Sequence, residues 1–201
     1  AEARRLGLKS RAAFKLIELD DEYGFLKPGL CVVDLGAAPG GWSQVSAQRV
    51  GSVEGSGAVV AIDLHTMEPI PGVHCLKMDF LDDEAPDAIM SALGGSRPDL
   101  VLSDMAAHAT GHRQTDHLKI MALCETALDF ARSVLRPDGV FLCKVLRGGT
   151  ESQLLASMKR DFTTVKHVKP KASREDSAEL YVLATGFRGN SDGDESPSIK
   201  T

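Results

Sequence analysis

Val32-Val33-Asp34-Leu35-Gly36-Ala37-Ala38-Pro39-Gly40-Gly41-Trp42-Ser43 decides how the chain is read. It has the pattern of a buried strand, a tight glycine turn and the start of a helix. Val32 and Val33 continue an apolar run from Leu30, three glycines punctuate it, and Trp42-Ser43-Gln44-Val45 opens a helical pattern. Glycines at such a turn permit positive φ and a close approach of backbone to ligand. The helix start adds free N–H groups. The spacing is Gly-x-x-x-Gly-Gly behind Asp34, not the Gly-x-Gly-x-x-Gly of dinucleotide enzymes. An acid facing the turn disfavours a pyrophosphate and favours a cationic or hydroxyl-rich ligand. S-adenosyl-L-methionine carries an ammonium, a sulfonium and a ribose, and suits such a site better than NAD. Asp34 and Gly36 are therefore candidate cofactor residues.

Working outward, apolar runs predict strands over 30–35, 58–63, 73–78, 98–104, 140–145, 162–168 and 179–187. Helical patterns occupy 42–50, 83–93, 115–135 and 151–160. Ahead of the first strand, Ser10 reads as the N-cap of a helix that ends near Tyr23-Gly24. In the long helix, Leu118, Met121, Ala122, Leu128 and Ala131 recur at helical spacing and predict its buried face. Strands alternate with helices until two strands come together at the end. The expectation is an α/β doubly wound sheet of seven strands, mostly parallel, with one antiparallel strand. Residues 1–188 read as a single domain and 189–201, rich in Gly, Ser and Asp, as a disordered tail.

Composition sets wide bounds. The 201 residues are 43% hydrophobic and 25% charged, enough for a packed core. The net charge of −5 argues mildly against a nucleic-acid binder, but its distribution matters more. Arg4, Arg5, Lys9, Arg11 and Lys15 crowd the amino end, and Lys166, Lys169, Lys171 and Arg174 form a second basic block. Cys31, Cys75, Cys124 and Cys143 make no Cys-x-x-Cys pair and read as small buried hydrophobes in a reducing compartment. The six histidines, His108 and His112 among them, lack metal-ligand spacing, so no metal is expected. No apolar run is long enough to span a membrane, and no signal peptide is visible. The missing initiator Met at Ala1 suggests a trimmed chain.

In doubly wound sheets, ligands bind at the carboxyl ends of the strands. Asp63, Asp79 and Asp104 all fall there, with Asp34 before the turn. Asp63 suits the hydroxyls of a ribose, with a turn cap as its plainer reading. Asp79 suits an adenine amino group. Trp42 fits either packing beside a ligand or the core. Lys144 is the anomaly, a lysine inside the apolar run Phe141-Leu142-Cys143-Lys144-Val145-Leu146. Lysine is rarely buried unpaired, and Asp104, at the end of the neighbouring strand, is the natural partner. Lys15 and Glu179 read by themselves as surface charges.

Six stretches together resemble one family. They are Ser10-Arg11-Ala12-Ala13-Phe14-Lys15-Leu16, the Val33–Gln44 turn, Ser103-Asp104-Met105-Ala106, the Lys144 strand, Lys169-Pro170-Lys171-Ala172-Ser173-Arg174 and Glu179-Leu180-Tyr181-Val182-Leu183-Ala184-Thr185-Gly186. Over about residues 4–188 the chain resembles the FtsJ/RrmJ (RlmE-type) family of ribosomal RNA large-subunit ribose 2′-O-methyltransferases. The resemblance implies a Rossmann-like methyltransferase fold and S-adenosyl-L-methionine as cofactor. It also implies a catalytic tetrad of Lys15, Asp104, Lys144 and Glu179, with cofactor contacts at Gly40, Trp42, Asp63, Asp79 and Asp104. The implied partner is ribosomal RNA within the large subunit, with a uridine of the A-loop as target. A monomer in the bacterial cytoplasm is expected, or in the mitochondrion after removal of a presequence. The family's usual Asp-Met-Ala-Pro-Asn stands here as Asp104-Met105-Ala106-Ala107-His108, a change beside the target nucleotide. Family members also carry residues ahead of the Arg4–Lys9 stretch. Competing readings are a methyltransferase of transfer RNA or another RNA, an NAD(P)-dependent oxidoreductase, and a non-catalytic RNA-binding ribosome-assembly module.

Overall fold

The computed structural model describes residues 1–106, 110–147, 151–171, 173 and 179–189, with the side chain of residue 151 excepted. His108, Arg174 and the tail from 190 onward lie outside the described residues. The strands are β1 Cys31–Leu35, β2 Ala58–Asp63, β3 Val73–Lys77, β4 Leu100–Ser103, β5 Val140–Leu146, β6 Phe162–Val168 and β7 Glu179–Phe187. They form a seven-stranded sheet in the order β3-β2-β1-β4-β5-β7-β6. The pairings among β1 to β5 are parallel; β7 runs antiparallel to both β5 and β6. The helices are α1 Glu2–Arg5, α2 Ala12–Tyr23, α3 Gly41–Val50, α4 Ala85–Ala92, α5 Arg113–Val134 and α6 Glu151–Asp161.

Both faces of the sheet are covered, which is why the central strands read as continuous apolar runs. The pleat divides each strand between two cores. Val33, Leu35, Phe141, Cys143 and Val145 pack with residues of α4, α5 and α6. Val32, Leu142 and Tyr181 pack with Ala13, Leu16 and Leu19 of α2 and Trp42 and Val45 of α3. The chain walks outward from β1 to β3 and then returns to β4 on the other side of β1. The crevice at this reversal, on the carboxyl edge, is where such sheets bind ligands.

Three local expectations need correction. Ser10 is not the cap of α2. Arg11 occupies that position without a side-chain cap bond, while the Ser10 carbonyl accepts from Ala13 N–H. The Ser10 hydroxyl instead packs on α3, where a Cβ placed on Gly41 would lie 2.0 Å from it. In α5, Leu118 is 52% exposed and Ala122 is exposed. The buried stripe runs through Ile120, Met121, Cys124, Ala127, Leu128, Ala131 and Val134. Cys75 is exposed on the edge strand β3, unlike buried Cys124 and Cys143. Among the described residues, no helix is long and apolar enough to cross a membrane.

The end of α2 is fixed by a buried acid that periodicity does not reveal. Gly24 leaves the helix with left-handed φ of 63°. Two residues on, Leu26 N–H donates to Asp20 Oδ1 at 2.7 Å, and Arg49 Nη1 of α3 meets Asp20 Oδ2 at 2.8 Å. Asp20→Ala strands the Leu26 N–H, while Arg49 keeps Asp21 Oδ1 at 2.7 Å. The substitution is expected to cost about 1.5 kcal/mol in urea denaturation. A loss below about 0.5 kcal/mol would class the position with ordinary surface sites.

Candidate active site at the carboxyl edge of the sheet

Gly36 makes the turn after β1 with φ of 64°, and a Cβ there would fall 2.3 Å from Met105 Cγ. No other residue leaves room for the loop after β4 to come this close. The N–H groups of Gly36 and Ala37 both donate to Ile62 O, at 2.9 and 3.2 Å. Beyond the turn opens a cavity of about 390 Å³, within the range of small-molecule sites. Gly36, Asp63, Asp79 and Asp104 all line it, with apolar walls from Ile62, Met78, Phe80 and Leu123. Asp63 is held from two sides, by Ala38 N–H on Oδ2 at 2.9 Å and His65 N–H on Oδ1 at 2.7 Å. Each carboxylate oxygen retains a free lone pair. The turn-cap reading and the ligand-facing reading of Asp63 are therefore compatible. Asp79 similarly accepts from Leu81 N–H at 2.9 Å.

Asp34, Gly40 and Trp42 do not line this cavity. The pleat turns Asp34 toward α3, where it is buried and accepts from Ser43 Oγ at 2.7 Å. Gly40, with φ of 120°, is the N-cap of α3. The Trp42 indole is buried, and its Nε1–H donates to Ala12 O at 2.8 Å. Gln44 completes the brace. Its Oε1 accepts from Lys9 N–H at 3.0 Å, and its Nε2 donates to Gly7 O at 2.8 Å. The first turn of α3 thus pins the segment leading into α2, and with it Lys15.

Beside the cavity the four charges expected to act together converge. Lys144 Nζ lies 3.1 Å from Asp104 Oδ1 and 3.7 Å from Glu179 Oε2, and Lys15 Nζ lies 4.0 Å from the same Glu179 oxygen. Lys144 is 7% exposed. A lysine at that depth needs such paired carboxylates. Tyr181, which sequence patterning did not single out, donates its hydroxyl to Asp104 Oδ1 at 2.5 Å. Burial first, then the Asp104 charge, push its phenol far above the ordinary range and keep it a donor. Among the described residues, no group of His, Cys, Asp and Glu is arranged to hold a metal ion.

A mostly parallel sheet with one reversed strand and a cavity at its switch point, walled by strand-end acids, has the architecture of a Rossmann-like methyltransferase. The chain belongs to the FtsJ-like methyltransferase family, whose model matches residues 8–187. It is 62% identical over 192 residues to ribosomal RNA large subunit methyltransferase E of Xanthobacter autotrophicus, covering 96% of this chain and 75% of that one. The protein of the same name from Nitrobacter hamburgensis is 60% identical over 189 residues, covering 94% and 82%. Among solved structures, a Plasmodium falciparum protein described as a ribosomal RNA methyltransferase superposes with a TM-score of 0.80 at 29% identity, covering 90% of this chain and all of that one. Human methyltransferase-like protein 13, solved with S-adenosylhomocysteine, shares the fold at a TM-score of 0.51 and 16% identity, over 90% of this chain and 81% of its own. As a member of this methyltransferase family, the chain uses S-adenosylmethionine as its cofactor. The cavity fits it: the apolar walls suit a flat purine, and the carboxylates suit hydroxyl, amino and cationic groups.

Asp34 gives the site a pH signature. Burial, reinforced by the charges of Asp104 and Asp63 and opposed by the Ser43 hydrogen bond, raises its carboxyl to about 7. The folded state therefore holds a proton that the unfolded chain releases near its ordinary value of 3.8. The stabilisation is complete below that value and is lost as pH rises through about 7. Asp34→Asn keeps an acceptor for Ser43 and is expected to flatten the fall. Wild-type stability to urea should drop between pH 4 and 7 by up to about 1.4 kcal/mol per unit more than the variant's. Equal slopes would count against a buried, protonated Asp34.

Proposed function

We propose that this protein transfers a methyl group from S-adenosylmethionine to a ribose 2′-hydroxyl of large-subunit ribosomal RNA, its target being a uridine of the A-loop. The observation that carries the reading is the buried Lys144, paired with Asp104 and Glu179 beside the cofactor cavity. The names of the bacterial relatives support the ribosomal substrate, and the resemblance to ribose 2′-O-methyltransferases supports the acceptor atom. A monomer working in the bacterial cytoplasm is part of the same reading.

A ribose hydroxyl is a poor nucleophile until its proton is removed or its charge stabilised. S-adenosylmethionine supplies an electrophilic methyl on its sulfonium. Lys144 faces the 2′-oxygen, as a base that takes its proton when neutral or as a cation beside the developing alkoxide. Asp104 and Glu179 orient Lys144, and Lys15 holds the target ribose or its phosphate. Asp63 and Asp79 bind the ribose and adenine of the cofactor, while Gly36 gives its backbone room to approach. The α3 start, with Asp34, Gly40 and Trp42, supports the turn from behind. Alignment of the reacting atoms contributes much of the rate.

Two substitutions and one mapping experiment test this. Lys144→Ala is expected to lower methyl transfer by about a hundredfold or more while cofactor affinity holds within about twofold. Near-normal turnover would remove Lys144 from the chemistry, and loss of cofactor binding would make it a structural lysine. Asp63→Ala should weaken cofactor binding by about tenfold in calorimetry, and an unchanged Kd would end its assignment to the cofactor. Ribose methylation mapped on ribosomal RNA with and without the protein identifies the nucleotide. A site elsewhere, or on transfer RNA, would replace the A-loop uridine.

A further inference from the structure

Tyr181 lies in β7 opposite Lys144 of β5 in the antiparallel register. It is 1% exposed and does not line the cofactor cavity. Its hydroxyl donates to Asp104 Oδ1 at 2.5 Å, and Lys144 Nζ approaches that same oxygen at 3.1 Å. One carboxylate oxygen therefore serves both groups. The ring sits against Trp42, with centroids 5.5 Å apart and planes tilted by 37°. Trp42 is itself tied to Ala12 O at the start of the helix that carries Lys15. A chain of contacts thus runs from Lys15's helix through Trp42 and Tyr181 to Asp104 and Lys144.

We propose that Tyr181 is a positioning residue, whose hydroxyl fixes the Asp104 carboxylate against Lys144 and tempers the charge that carboxylate presents to the amine. The inference rests on the proposed role of Lys144 at the 2′-oxygen. A carboxylate at a strand end can rotate about two side-chain bonds. A second donor on Oδ1 removes that freedom, and a donor to an ionised acceptor is among the stronger hydrogen bonds. The hydroxyl also draws negative charge from Asp104. Asp104 and Glu179 lie near the phenol, and their charges, added to burial, keep it protonated. Lys15 bears on the group through Glu179, and Asp34 interacts with Asp104 from the α3 side. Without the hydroxyl, Lys144 would meet the full carboxylate charge and hold its proton more tightly.

Tyr181→Phe keeps the ring against Trp42 and removes the donor alone. The expected kcat on unmethylated large subunits falls by about tenfold to a hundredfold. KM for RNA and the calorimetric Kd for S-adenosylmethionine should hold within about twofold, while the pH–rate profile moves upward by roughly one unit. Acetic anhydride labelling of Lys144, followed by mass spectrometry across pH, should move the same way without depending on methyl transfer. The chain has two tyrosines. Uniform 3-fluorotyrosine incorporation in Tyr23→Phe protein therefore places fluorotyrosine at 181 alone. That stronger donor should shift both profiles to lower pH, which keeps the test open should Tyr181→Phe fail to fold. Unchanged kcat and unchanged profiles would reduce Tyr181 to packing. A fall in kcat matched by an equal loss of cofactor affinity would make it structural. If wild-type protein methylates no RNA while the labelling shifts persist, the substrate reading fails and the positioning role stands.

Discussion

A lysine buried at the edge of an apolar strand is the constraint on which the site depends. Lys144 needs counter-charges within a few ångströms, and β5 obtains them from both neighbours. β4 ends just before Asp104 on one side, and β7 begins at Glu179 on the other. The second supply exists because β7 is antiparallel. A parallel strand in its place would begin at the opposite edge, leaving Lys144 with Asp104 alone. The single reversed strand is therefore what brings Glu179, and Tyr181 two residues on, to the carboxyl edge.

Asp104 joins the two halves of the site. It lines the cofactor cavity and also carries Lys144 and Tyr181 on one oxygen. Gly36 and Met105 set how near the glycine turn stands to the loop bearing Asp104. The spacing between cavity and charged cluster is thus set where the Gly36 backbone meets the Met105 side chain. The first turn of α3 does the corresponding work for Lys15, through Trp42 and Gln44.

The sheet was legible because its strands are apolar runs of ordinary length and its chain order alternates with helices. The strand-end acids were legible by the same logic, since position in the fold gave them a direction. Lys144 stood out as a charge in the wrong company. Lys15 and Glu179 did not, because neither differs from a surface charge until α2 and β7 are brought together; only family resemblance marked them. Tyr181 was silent because a tyrosine in an apolar strand reads as packing, and its hydroxyl partner is 77 residues away in the chain. Ser10 misled because a hydroxyl ahead of a helix has two outlets. Here it turned to the neighbouring helix. In α5, Leu118 matched the helical period but lies off the buried stripe.

The late insertion of β7 also carries a meaning for biogenesis. Translation delivers the glycine turn and the acids of β2 to β4 first, so the cofactor cavity can take shape on a partly made chain. The charged cluster cannot, since Glu179 and Tyr181 emerge last and must slot between strands already synthesised. Closure of the sheet by β7 is in that sense what joins the cavity side of the site to the charged cluster.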